Sequence, residues 1–244
     1  MRKQSHIGVI PARKNSKGVP EKNRYLFGLL ADFITDHKLF DRVIVTTDDE
    51  ILLELAASRG FECHRRPDRL ADDTASIKQA FEDLVDSVAF DPDDHLWLLF
   101  IPLVYRNIAD FHEARKIVDQ HDPSSFCSFM EAASHPYACW SIDRETGRVK
   151  HFIENDLYNR QDFPEAWENY NYLCSVKVRE LPRANANLIT ADVHPYLMSP
   201  ELANKMVEID EPRDLRAWRF RHPGDYEGWA QSQAEDCPLL SLEG

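Results

Sequence analysis

Residues 6–11, HIGVIP, read as a short apolar strand, and residues 12–23, ARKNSKGVPEKN, follow as a loop carrying four cations, Arg13, Lys14, Lys17 and Lys22. Outward from this pair, strands and helices alternate. Residues 31–40 have helical spacing, and residues 42–47, RVIVTT, are β-branched like a buried strand. Residues 50–59 read as a helix that stops at Gly60, a residue suited to the turn beyond a helix end. Ile77, Ala80, Phe81, Leu84, Val85 and Val88 recur at i, i+3, i+4, the spacing of one core-facing helix. Residues 96–104 read as a buried strand, 108–120 as an amphipathic helix, and 124–130 and 172–178 as further strands. This alternation predicts an α/β fold with a mostly parallel central sheet and helices on both faces, three layers in all. Ligands in such sheets bind beyond the carboxyl ends of the strands, so the loops after Ile10, Thr47 and Leu103 are the expected sites.

The chain of 244 residues is long enough for one large α/β domain. No apolar run approaches the ~20 residues that span a bilayer, and the N-terminus lacks the apolar stretch of a signal peptide. The expectation is a cytoplasmic protein with no membrane partner. A net charge of −13 argues against a nucleic-acid partner, because phosphate contacts dominate that affinity. A few local cations still suffice for one nucleotide. The five cysteines lie at wide spacings without a CxxC pair, as expected of reduced thiols rather than a zinc site.

The first loop has a chemistry of its own. Its cations and backbone N–H groups are what a triphosphate needs, and Gly18 lets the backbone come close. The loop matches neither the G-x-x-x-x-G-K-[ST] phosphate loop nor the G-x-G-x-x-G dinucleotide motif.

IPARKNSKGVPEKN resembles the IPAR-x-x-SKG-x-P-x-KN motif of the acylneuraminate cytidylyltransferase family. Other segments match in order: RVIVTTDD at 42–49, RPDRLADDTAS at 66–76, HPY at 135–137, RQDFP at 160–164 and EIDEPRDL at 208–215. The resemblance runs from about residue 7 to 219 and implies a Rossmann-like nucleotidyltransferase fold. It implies transfer of CMP from CTP to an acidic, nonulosonate-type sugar, with magnesium (Mg²⁺) as cofactor. It further implies that residues 1–220 form the catalytic domain and that the protein is a homodimer; residues 221–244 turn polar and irregular, as expected of a loosely attached tail.

Residue by residue, the resemblance implies catalytic roles for Arg13, Lys17 and Lys22 on the triphosphate. Ala12, Arg13, Ser16, Lys17, Asn23, Arg66 and Ser76 would bind CTP; Arg106, Arg160 and Gln161 would bind the sugar; and Glu208 and Asp210 would hold the metal. Residues two apart on an extended chain face one way, as two carboxylates sharing a cation must. Several positions also admit a structural reading. Asp48 and Asp49 would suit a helix cap, beside a role in binding a metal or ordering the first loop; Ser76 and Asp210 would suit helix caps, and Arg160 a surface ion pair.

The chain departs from the family pattern chiefly on the acceptor side. Lys14 and Asn15 stand where the family has two glycines, and Glu208 stands where it has Asp. Phe100, Pro102 and Leu103 replace the Gln, Thr and Ser of LLQPTSPLR, and Tyr170 replaces a glycine. An amide exchanged for a phenyl ring removes a donor and an acceptor, which points to an acceptor other than plain N-acetylneuraminate, or one held differently.

Overall fold

Parallel pairing around the first strand organises the molecule. The computed structural model describes residues 4–14, 18–72, 74–233 and 237–242. In chain order, β1 (His6–Ala12) leads to α1 (Lys22–His37), β2 (Arg42–Thr47), α2 (Glu50–Ser58), β3 (Glu62–Arg65) and α3 (Ile77–Ser87). There follow β4 (His95–Leu98), α4 (Ile108–His121) and β5 (Ser125–Glu131). A small arm of β6 (Trp140–Ile142) and β7 (Val149–His151) precedes the long β8 (Trp167–Lys177) and β9 (His194–Leu197). Helices α5 (Pro200–Ala203), α6 (Pro212–Arg221), α7 (Pro223–Ser232) and α8 (Pro238–Ser241) end the described chain.

Among the described residues one sheet has the order β3-β2-β1-β4-β8-β5-β9. β1 pairs in parallel with β2 on one side and β4 on the other, so the chain direction of travel reverses at β1. That is a topological switch point, where a crevice opens at the carboxyl ends. β8 is the exception to parallel pairing, running antiparallel to both β4 and β5. The strands form because apolar, β-branched runs lie between helical segments, and both faces are covered. On one face Leu26, Phe27, Leu30 and Ile34 of α1 pack with Phe111 and Val118 of α4 and with Trp218 of α6. On the other, Phe81 and Leu84 of α3 pack on Ile7, Val9, Leu96 and Val176. No helix of the described residues is long and apolar enough to cross a membrane.

Four details differ from the sequence expectations. First, α1 begins at Lys22, well before residue 31, so Lys22 and Asn23 sit in its first turn rather than in the loop. Second, β4 ends at Leu98, and residues 99–104 turn away toward the C-terminal segment. Third, β8 starts at Trp167, earlier than residue 172, and runs against its neighbours. Fourth, the chain beyond Arg221 is not loosely attached. Tyr226 and Trp229 are 4% and 3% exposed, meet the Trp218 ring edge-on and tilted with centroids at 5.3 and 5.1 Å, and belong to the main core together with Leu239. The Trp229 indole also donates to the Tyr25 carbonyl at 3.0 Å. Three aromatic rings bury enough area to anchor a helix whose remaining residues are polar or small.

The amino-terminal edge of the sheet holds a buried polar cluster. His6 and His95 are fully buried with ring centroids 6.1 Å apart. Trp97 Nε1 donates to His6 Nδ1, and His6 Nε2 meets Asp119 at 2.9 Å. Burial pushes the His6 pKa down. For His95, burial, with His6 and Lys177 nearby, lowers it from 6.5 to about 4.

Both imidazoles therefore refuse protons that the unfolded chain accepts. The His95 contribution is intact above the ordinary histidine range and is lost as pH falls from 6.5 toward 4, and His6 acts in the same direction. The expected outcome is an unfolding free energy, read from urea curves, that falls across this window by up to about 1.4 kcal/mol per pH unit for His95. A His95→Asn variant should show a shallower dependence; an unchanged slope would contradict the assignment. For the C-terminal anchor, Trp229→Ala is expected to cost about 3–5 kcal/mol, read from the same denaturation curves.

Candidate functional site

The crevice at the switch point is filled from four segments. These are the loop after β1, the segment 66–77, the loop after β4 and the stretch 207–211. Together they line a cavity of ≈ 530 Å³. The last stretch reaches the site by a short antiparallel pairing: Val104 N donates to Val207 O, Ile209 N donates to Pro102 O, and Leu103 faces Glu208. Glu208 and Asp210 thereby come to line a cavity shaped mainly by the first half of the chain.

Lys22 closes the far side. Its ammonium donates to the Ile209 carbonyl at 2.6 Å and to Asp210 Oδ1 at 2.5 Å. Gly18 lies against the same segment: a Cβ there would stand 1.9 Å from the Asp210 carbonyl oxygen, so no other residue fits without moving backbone. The first loop is further tied by Lys14 N to Asp48 Oδ1, by Arg13 Nη1 to the Asp72 carbonyl, and by Asn23 Nδ2 to the Arg13 carbonyl. Of the two acids after β2, Asp48 thus orders the first loop. Asp49 caps α2 through Ile51 N and accepts two hydrogen bonds from Arg24. Neither is among the cavity-lining residues.

Arg66 and Ser76 meet on the opposite wall. Ser76 caps α3 with a reciprocal capping box to Gln79, so its structural reading holds while it also lines the cavity. Arg66 is 5% exposed, and its Nη2 donates to the Thr46 carbonyl. Burial lowers its pKa to about 10, with Asp48 opposing, so it stays a cation at neutral pH. Its Nε is buried and has no hydrogen-bond partner among the described residues. A buried donor left in this state is costly unless a ligand supplies an acceptor.

The acids facing this wall differ in state. Burial, and then Asp210, pushes the Glu208 carboxyl above its usual range. Asp210 does not cap α6; Glu211 does, in a capping box with Asp214. No group of three or more His, Cys, Asp or Glu among the described residues is arranged to hold a metal. Two carboxylates on one cavity nonetheless fit a hard cation such as magnesium, which takes a few protein oxygens and completes its shell with phosphate oxygens and water.

The structure therefore brings Ala12, Arg13, Lys22, Asn23, Arg66, Ser76, Glu208 and Asp210 to one cavity. Ser16 and Lys17 lie outside the described residues. The three residues expected at the sugar lie elsewhere. Arg106 Nη2 donates to the Phe100 and Ile101 carbonyls and lines a separate cavity with Trp218 and Trp229. Burial lowers its pKa to about 9. It holds the loop after β4 from behind. Arg160 and Gln161 line a cavity at the base of the arm with His135 and Phe163. Phe100 and Pro102 line the main cavity, as does Gly18. The sequence points to Gly18 as a place where backbone comes close to a triphosphate; that it also lies against Asp210 depends on a contact across the fold.

Residues 7–91 match the cytidylyltransferase family model. The N-acylneuraminate cytidylyltransferase of Streptococcus agalactiae serotype V is 25% identical over 217 residues, covering 86% of this chain and 51% of that protein. The chain thus spans about half the length of that relative. The pseudaminic acid cytidylyltransferase of Campylobacter jejuni subsp. jejuni serotype O:23/36 is 29% identical over 176 residues, covering 67% of this chain and 75% of that one. Among solved structures, CMP:2-keto-3-deoxy-manno-octonic acid synthetase complexed with CTP superposes with a TM-score of 0.60 at 11% identity. That match covers 94% of this chain and 100% of the other, and it bears on the fold. Residues 7–91 thus match the cytidylyltransferase model, and most of the chain is similar to the acylneuraminate cytidylyltransferases.

Proposed function

We propose that the chain is a CTP-dependent cytidylyltransferase that transfers CMP to an acidic, sialic-acid-like sugar and releases pyrophosphate. The observation that carries this reading is the cavity itself: cations and the α1 amino terminus on one side, a buried Arg66 with an unpartnered donor on another, and two carboxylates between them. The relatives named as N-acylneuraminate and pseudaminic acid cytidylyltransferases support it.

In this reading Arg13, Lys17 and Lys22 clamp the triphosphate, helped by backbone N–H groups at the start of α1. Ala12, Ser16 and Asn23 shape the cradle. Arg66 Nε donates to a carbonyl of the base, near Ser76. Catalysis is then mainly positioning and charge neutralisation as the sugar hydroxyl attacks the α-phosphorus. Glu208 and Asp210 would hold magnesium, which when bound offsets negative charge on the departing pyrophosphate. Phe100 and Pro102 in the cavity wall favour an acceptor bound through groups other than the lost amide. Arg106, Arg160 and Gln161 then serve the acceptor indirectly, through the loop after β4 and through the arm.

The arm supports a homodimer. Trp140, Ile142, Val149, Phe152 and Tyr158 are between 54% and 93% exposed there, an apolar surface that a second copy would cover. A cytoplasmic setting, where CTP is made, goes with this reading and with five free cysteines.

Calorimetry should detect CTP binding, and pyrophosphate should be released from CTP and Mg²⁺ with at least one of a panel of 2-keto sugar acids. Arg13→Ala should weaken CTP binding by about tenfold or more while the unfolding midpoint hardly moves; Gly18→Ala should weaken it as much and lower the midpoint as well, because its Cβ forces the Asp210 backbone aside. CTP binding without turnover on any acid would mark a catalytically degenerate homologue; no CTP binding would end the reading. Light scattering should give a dimer for the wild type and a monomer for the Phe152→Glu/Tyr158→Glu double variant. A monomeric wild type would remove the arm's assigned role.

A further inference from the structure

Tyr170 borders the stretch 206–210, whose Met206 lines a second cavity with it while Glu208 and Asp210 line the main one. Its ring packs against the main core cluster, and its backbone carbonyl is fixed by the Ser128 hydroxyl. It lines a second cavity of ≈ 460 Å³ together with Met130, Met198, Met206 and Arg221. Burial, and then the charges of Glu208 and Asp210 in the main cavity, hold the phenol's pKa up, while Arg221 pulls it down. The phenol thus keeps its proton and remains a donor. Among the described residues the Tyr170 hydroxyl has no hydrogen-bond partner.

The charges around this point are nearly balanced. Lys22 already engages Asp210, and Arg221 is anchored at the cavity wall by its Nη1 donating to the Met206 carbonyl at 2.8 Å. Arg221 forms no ion pair among the described residues. A carboxylate arriving beside Glu208 would be repelled by that acid unless a directed donor and a nearby cation received it. Tyr170 and Arg221 supply both. The exchange of residues along the chain is complementary: a donor is missing at Phe100 in the main cavity, and one is present at Tyr170 across the loop after β4.

Resting on the cytidylyltransferase reading, we propose that Tyr170 is the acceptor-selecting residue, its hydroxyl donating to the acceptor's carboxylate at the edge of the nucleotide cavity, with Arg221 as the supporting cation. The carboxylate of a 2-keto sugar acid is attached to the carbon that bears the attacking hydroxyl. Holding the one therefore aims the other at the α-phosphorus without any charged residue touching the reacting oxygen. Arg160 is the rival cation, but it lines the cavity at the base of the arm.

The test is saturation-transfer NMR on the full chain with CTP and without metal, so that no turnover occurs. The probes are N-acetylneuraminate, 3-deoxy-manno-octulosonate and pseudaminate, each compared with its methyl ester. The wild type should bind at least one acid about tenfold better than its ester, the scale of one hydrogen bond to a charged group. Tyr170→Phe should lose most of that preference, leaving ester binding and CTP affinity unchanged. Arg221→Gln should weaken the acid, and Arg221→Lys should recover part of it. An acid preference that survives Tyr170→Phe, one abolished instead by Arg160→Gln, or no binding of any acid would overturn the proposal. CTP calorimetry on the same samples separates these outcomes from failure of the cytidylyltransferase reading, which would appear as no CTP binding.

Discussion

A buried lysine joins the two ends of the chain at the site. Lys22 opens α1, and its ammonium ends between a carbonyl and a carboxylate that lie 187 and 188 residues further on. A cation removed from water is tolerated only where its partners are close and well placed, because desolvation otherwise exceeds the attraction. Here they are, and the rest of the site follows from that clasp. The segment that supplies Asp210 also presses on Gly18 and pairs with the loop after β4. Removing the clasp would leave a buried charge on one side and release three cavity walls on the other.

The sheet topology explains why the two halves of the site differ in character. The wall that carries Arg13, Lys22 and Asn23 is built where β1 meets β2 and β4, all parallel and covered on both sides. Backbone ties and capped helices hold its side chains, and little there can change without cost. The other wall hangs on β8, which runs against the sheet and leaves it to meet the arm. Its lining is Met-rich and partly open, a surface that adapts to side-chain change. Of the departures from the family pattern, Tyr170 stands on this second wall, while Phe100 and Pro102 stand on the loop after β4 and Glu208 on the stretch that pairs with it.

Much of this was legible in the residues and some was not. β1, β2 and α3 follow from local patterns, because burial on both faces or on one stripe writes itself into consecutive residues. The cavity positions of Arg13, Lys22, Arg66, Glu208 and Asp210 followed from motif order. Three things did not. The direction of β8 depends on which neighbour it joins, which a single strand does not encode. The docking of α7 rests on Tyr226 and Trp229 alone, two rings among polar and small residues, too few for periodicity to register. Arg106 reads as a free guanidinium beside the site, yet its partners are backbone carbonyls of its own loop, and backbone acceptors leave no trace in a sequence. Arg160 was likewise carried away by the arm, whose path is set by tertiary pairing.

The pairing of Leu103 with Glu208 has a consequence for how the protein comes into being. Contacts this distant along a chain form late, after shorter loops have closed. During synthesis the first strands and their loop leave the ribosome well before residues 207–210, at about 5–20 residues per second. For that interval the first loop exists without its opposite wall. A nascent chain therefore has Arg13 and Lys22 but not the cavity, which closes only once residues 207–211 have folded back onto β1 and α1.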